Sequence, residues 1–99
     1  MTEKIKYWLD LSEYDLETAQ AMLKSKRYLY VGFMCHQTIE KVLKAFYVKA
    51  TKKTPPYTHN LIYLAEISGL YIDFSEIQKD FLDNIQPFYI VQILIISGI

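Results

Sequence analysis

The side chains in this sequence with chemistry to offer are two histidines, one cysteine and a limited set of charges, and many of them fall in one stretch, CHQTIEKVLKAFYVKA, residues 35–50. The stretch reads as helix. At about 100° per residue, His36, Gln37, Glu40, Lys41 and Lys44 share an arc of about 140° within an otherwise apolar context. Periodicity alone leaves this stripe open between the wet side of an ordinary helix and a subunit- or ligand-binding surface. Glu40 and Lys44 stand four apart in the favourable order, which contributes a few tenths of a kcal/mol if the pair is exposed. His36 and Glu40 also have the spacing of metal ligands on a helix, with His59 as a third candidate. Zinc needs three or four ligands and a supporting shell of hydrogen bonds, so one such pair does not specify it, and no metal is assigned. Cys35 and His36 are adjacent, so on a helix they point about 100° apart and do not form a nucleophilic dyad. Cys35 falls on the apolar side and is read as a structural thiol. No Gly-rich phosphate loop and no Ser/His/Asp arrangement can be assembled.

These residues must be positioned by helices. Residues 3–25 form the first predicted helix, capped by Thr2, with Ile5, Trp8, Leu9, Leu16, Ala19, Met22 and Leu23 recurring at helical spacing. The basic run KSKR, residues 24–27, suits the negative end of its dipole. Residues 28–50 form the second, with Tyr28, Val31, Cys35, Ile39, Val42, Leu43, Phe46 and Ala50 as its apolar face, and Gly32 placed for close approach of a neighbour. At about 1.5 Å per residue this helix is roughly 35 Å long, matching the first, and the tight connection makes an antiparallel hairpin. The paired prolines of TKKTPPY, residues 51–57, stop the helix. Thr58 is predicted to cap a third helix, HNLIYLAEIS, which Gly69 terminates. Ser75 with Gln78 has the form of a capping box opening a fourth, EIQKDFLDNIQ, which Pro87 stops or kinks. Nothing alternates at period two for long enough to require a sheet. The predicted fold is all-α: an up-and-down helical bundle of four to five helices with a long antiparallel hairpin of helices one and two.

Composition narrows the class. The 99 residues are 52% hydrophobic with nine tyrosines, which excludes a disordered chain, and residues 1–99 are read as a single domain. Eleven basic and eleven acidic residues give no net charge, so no global field draws the chain to nucleic acid or an anionic membrane. The single cysteine permits no internal disulfide. The N-terminus lacks the apolar core of a secretory signal, and no run approaches the about 20 apolar residues of a membrane span. A soluble cytoplasmic protein is expected. The tail, PFYIVQILIISGI, is apolar and nearly uncharged, so it is expected to be buried by the core or by a second subunit.

Three segments taken together resemble a known family. A leading helix carries YWLDLSEYDLETAQAMLKSKRY, a second carries VGFMCHQTIEKVLKAFYV, and a Pro-bearing loop leads into THNLIYL. This combination is similar to the HEPN domain, named for higher eukaryotes and prokaryotes, over roughly residues 4–90. CHQTIEKVLKAF followed by THNL is its specific part. The resemblance implies an all-α bundle, usually a homodimer, associated with nucleotides or RNA and often paired with a minimal nucleotidyltransferase in toxin–antitoxin systems. It implies no cofactor. The positions it carries over are His36, Glu40, Lys41 and Lys44 in the second helix, and His59, Asn60 and Leu61 at the opening of the third. Asn60 is expected to hydrogen-bond locally there and Leu61 to enter the core.

Many members of that family are metal-independent endoribonucleases in which an Arg is followed, after about four to six residues, by His near the start of the last helix. His moves the proton in 2′-hydroxyl attack and Arg stabilises the phosphate charge. This sequence departs from that motif. Its only arginine, Arg27, is separated from His36 by eight residues, and His59 has no arginine near it. After Tyr89, where the family commonly continues with a polar Arg-Tyr-Pro-like segment, the chain reads IVQILIISGI. The reading is a domain shortened or altered after about residue 90, by truncation or a frame shift. In some related toxin systems the partner modifies a tyrosine near the lost motif, and Tyr89 is the nearest equivalent. The expected function is a nucleotide- or RNA-associated module without the usual catalytic motif. The alternatives are a ribonuclease toxin with an atypical site built on His36 and His59, with Lys41 or Lys44 on phosphate, and a structural homodimer without activity.

Overall fold

A computed structural model describes residues 2–90. Four α-helices follow one another: α1 (Thr2–Lys24), α2 (Tyr28–Thr51), α3 (Leu61–Ile67) and α4 (Glu76–Ile85). Single 3-10 turns lie at Tyr71–Asp73 and Gln86–Tyr89. No strand is present among the described residues. The all-α bundle with a long α1–α2 hairpin is therefore the observed architecture. The expectations placed on the apolar tail lie, from residue 91 on, outside the described residues.

The hairpin forms because α1 offers a seam at alternating spacings of three and four. Ile5, Trp8, Ser12, Asp15, Ala19 and Met22 are buried or half-buried along it, with Leu11 and Thr18 half-buried beside them, the repeat that lets two helices pack at a shallow angle. Ser12 and Ala19 are small enough to bring the helices together, and the Ser12 hydroxyl donates to the Leu9 carbonyl at 2.7 Å. This corrects the predicted face in one respect. Leu9, Leu16 and Leu23, seven apart, sit at the outer edge of the seam and stay exposed.

The turn between α1 and α2 is closed by backbone geometry. Lys26 takes the left-handed conformation at φ 60°, Arg27 N–H reaches the Met22 carbonyl at 2.8 Å, and Lys26 N–H reaches that of Leu23 at 3.1 Å. That is the Schellman arrangement, here without the glycine that usually occupies the left-handed position. The same arrangement closes α3 with the expected residue: Gly69 has φ +78°, and Leu70 N–H donates to the Ala65 carbonyl at 3.0 Å.

The core lies between α2, α3 and α4. Leu43, Leu61, Leu64, Ala65 and Leu82 are buried there, with Ile39, Ile62, Ile67, Phe74 and Ile85 packed around them. Ser75 and Gln78 form the predicted capping box at the start of α4, each side chain accepting from the other's backbone N–H. At α3 the cap is Asn60, whose side chain accepts from Tyr63 N–H at 3.0 Å. Thr58, predicted for that role, instead accepts from Asn60 N–H at 3.1 Å and shapes the loop ahead of the helix. Gly32 admits the Phe88 ring; a Cβ there would stand 2.2 Å from Phe88 Cδ1.

Candidate functional site

The polar stripe of α2 is not its wet side. His36, Glu40 and Lys44 are 0%, 3% and 5% exposed, whereas Tyr28, Phe46 and Ala50 of the predicted apolar face are exposed. The cause is the position of α2 in the bundle. It packs against α1 along one side and against α3 and α4 along another, and the loop ahead of α3, residues 52–60, folds back over the stripe.

Each buried charge then needs a partner, because an unpaired ion away from water is costly. Lys44 Nζ lies 3.1 Å from Glu40 Oε2, and it faces the ring of Trp8 at 5.4 Å and that of Tyr57 at 6.0 Å. The second carboxylate oxygen, Oε1, accepts from His59 Nδ1 at 2.7 Å. Lys41 Nζ is held by Asp15 of α1 at 2.6 Å and by Gln37 Oε1 at 3.1 Å. Both lysines proposed from the sequence as phosphate ligands are thus engaged inside the bundle.

His59 is where the network reaches solvent. Its side chain is 40% exposed while the carboxylate behind it is 3% exposed. With Nδ1–H donating to Glu40, the neutral ring keeps its lone pair on Nε2, the tautomer that a buried carboxylate imposes on an imidazole. The His59 backbone is fixed as well. Its carbonyl accepts from His36 Nε2–H at 3.1 Å and from Gln86 Nε2–H at 2.9 Å. Gln86 Oε1 in turn accepts from Leu61 N–H at 2.7 Å. One amide side chain at the end of α4 therefore ties the loop to the first turn of α3.

Tyr89 completes the arrangement. Its ring stacks on His59 with centroids 5.7 Å apart and planes at 22°, and it lies 5.8 Å from the His36 ring. Tyr57 meets His59 edge-on at 5.7 Å. Thr58, His59, Asn60, Gln86 and Tyr89 line an open depression of about 360 Å³ beside the stack. Three polar side chains, those of Thr58, Asn60 and Gln86, and the two flat rings can there accept a planar group by stacking and by hydrogen bonds to its edge.

His36 plays a different part. Because its Nε2–H is given to a carbonyl, Nδ1 is the bare nitrogen, and it is buried with no partner among the described residues. Burial pushes the His36 pKa below the ordinary imidazole value, against the opposing pull of Glu40. The Cys35 thiol is half-buried and burial pushes its pKa up, which disfavours the thiolate.

Of the residues singled out from the sequence, His36, Glu40, Lys44 and His59 come together, Asn60 borders the same depression, and Lys41 belongs to a separate ion pair with Asp15. The sequence reading missed Gln86, Trp8 and Tyr57, and valued Tyr89 for another reason. Gln86 and Trp8 make their contacts across long sequence separations, and Tyr57 meets Lys44 and His59 from a loop with no periodicity to mark it. Among the described residues no group of three or more His, Cys, Asp or Glu side chains is placed to hold a metal ion, and no helix is long and apolar enough to cross a membrane.

No curated protein and no solved structure matches this chain. The HEPN domain model matches residues 5–92, which is most of the chain and includes both the α1–α2 hairpin and the His59 loop. The chain belongs to the HEPN domain family.

Proposed function

We propose that this protein is a nucleotide- or RNA-binding HEPN module whose contact surface is the His59–Tyr89 ledge, and that it works as a homodimer beside a minimal nucleotidyltransferase, as in toxin–antitoxin pairs. The observation that carries the reading is the half-exposed His59 ring stacked at 22° on Tyr89 and fixed from behind by a buried carboxylate. A preorganised flat surface binds a base without first paying to order itself. Stacking on aromatic rings is tolerant of base identity and contributes about 1–3 kcal/mol per base. Asn60 Nδ2, the Thr58 hydroxyl and the second Gln86 amide hydrogen supply donors at the rim. His36, Glu40 and Lys44 act in this reading through His59, by holding it.

Adding a short single-stranded RNA to isotope-labelled protein tests this. The ring signals of Tyr89 and His59 are expected to shift together, ahead of those of Trp8. Shifts confined to other parts of the bundle, or none at all, would refute the proposal.

One observation favours a second reading. A histidine whose Nδ1–H is held by a carboxylate 2.7 Å away, with Nε2 free to take a proton, is the arrangement of a general base. An RNA-cleaving reaction on this chain would run through His59, without the arginine that serves the phosphate in related ribonucleases. Metal-free cleavage of RNA that vanishes in His59→Ala distinguishes it from binding alone.

A further inference from the structure

A second surface, independent of the His59–Tyr89 ledge, lies where α4 meets α2. Ile39 of α2, Phe74 ahead of α4, and Ile77, Phe81 and Leu82 of α4 enclose an apolar groove of about 360 Å³ that none of the described residues covers. Leu82 anchors its floor in the core. Ile77 and Phe81, one helical turn apart, are 81% and 50% exposed. Single exposed apolar side chains are ordinary, but a contiguous apolar groove marks a contact surface.

Charge says what fits there. Ten of the eleven basic residues precede residue 54, whereas five of the eleven acidic ones follow it, so the α3–α4 half is acidic although the chain as a whole is neutral. On α4, Asp80 stands about 60° around the helix from Ile77, and Glu76 and Asp83 lie beyond it on the same side. The one lysine of α4, Lys79, sits 5.0 Å over the Tyr71 ring and 3.8 Å from Glu76 Oε1, which leaves Asp80 and Asp83 as the flank's exposed carboxylates. The groove therefore has an apolar floor and an acidic flank. A second copy using the same groove about a two-fold axis would set acidic flank against acidic flank, which is disfavoured. Nucleic acid and anionic lipid are repelled for the same reason.

We propose that this groove docks a basic amphipathic segment of a partner protein. Two apolar side chains of that segment, one helical turn apart, seat against Ile77 and Phe81, and lysines or arginines beside them face Asp80 and Asp83. The apolar contact supplies affinity, and the charge complementarity supplies orientation and association rate.

The test uses the full chain, isotope-labelled, and three short synthetic helical peptides. One carries leucine anchors with lysine flanks, one the same anchors with glutamate flanks, and one lysine flanks with serines in place of the leucines. The first is expected to shift the amide signals of residues 74–85, to bind at least about tenfold more tightly than the other two, and to weaken as salt is added. Asp80→Lys with Asp83→Lys reverses exposed charges without touching the core, and should remove the preference for lysine over glutamate. Ile77→Ser, also at an exposed position, should lower affinity for the two leucine-anchored peptides and leave that of the serine peptide unchanged. Equal binding of the lysine and glutamate peptides overturns the proposal, as do shifts that map away from α4. Self-association of the chain in sedimentation that Ile77→Ser abolishes also overturns it, because a second copy would then hold the groove.

Discussion

Glu40 Oε1 lies 2.7 Å from His59 Nδ1 while Glu40 Oε2 lies 3.1 Å from Lys44 Nζ, so one buried carboxylate divides its two oxygens between a buried cation and a half-exposed imidazole. This joins α2 to the loop ahead of α3 across 19 residues of sequence. It turns an inaccessible charge pair into a support for a surface ring. Glu40→Ala leaves the Lys44 ammonium buried without its anion, and is expected to cost about 3–5 kcal/mol. Lys44→Met added to Glu40→Ala should recover part of that loss. Urea denaturation checks both, and a loss under about 1 kcal/mol for Glu40→Ala would mean that water reaches the pair.

Acid should loosen the molecule at His36. Its folded pKa lies below the unfolded value because burial opposes the charged ring. The unfolded chain therefore takes up a proton that the native one refuses. Stability is full above the unfolded pKa of about 6.5 and falls as pH drops toward the folded value, by up to about 1.4 kcal/mol per pH unit. Urea titrations at several pH values between neutral and mildly acidic should show this slope, and His36→Gln should flatten it. An unchanged slope in His36→Gln would assign the acid sensitivity to other groups.

Gln86 should matter more than a terminal polar residue usually does. Gln86→Ala removes one of the two donors on the His59 carbonyl and leaves Leu61 N–H without its acceptor. A cost of about 1–3 kcal/mol is expected. Amide exchange at Leu61 should rise selectively. Protection at Leu61 unchanged from the wild type would show that the loop holds without this residue.

Gly32→Ala reverses the ordinary helix preference. Alanine is favoured over glycine by about 1 kcal/mol inside a helix. Here its Cβ would meet three atoms of the Phe88 ring at 2.2–2.9 Å, so the turn after α4 must move. Net destabilisation of about 1–3 kcal/mol is expected from overpacking. Phe88→Leu should relieve it. A more stable Gly32→Ala protein would mean that Phe88 swings away freely.

The sequence showed the hairpin, the Gly69 terminus and the Ser75–Gln78 capping box because each is written in adjacent residues or in one helical period. The His36–Gln37–Glu40–Lys41–Lys44 stripe was visible as a stripe, but its burial was not. Periodicity tells which residues share a face; it does not tell that residues 52–60 will fold back over that face. The seam of α1 misled for a related reason: Leu9, Leu16 and Leu23 are the more apolar set, yet Ser12, Asp15 and Ala19 face α2, because close packing and the Lys41 ion pair need small and charged side chains there. His59 and Asn60 were legible through the family resemblance. Gln86 was not, since its bonds reach back 25 and 27 residues to a carbonyl and an amide with no sequence mark.

The most direct test of the account is to mix a fluorescently labelled single-stranded RNA with the full chain in EDTA and follow anisotropy and RNA integrity in the same sample. The account predicts binding without cleavage. Affinity should fall about tenfold or more in Tyr89→Ala and in His59→Ala, as removal of a stacking ring implies, while Phe46→Ala, remote from the ledge, leaves it unchanged. No binding, or binding that neither ring substitution weakens, would contradict the assignment of the His59–Tyr89 ledge as the contact surface.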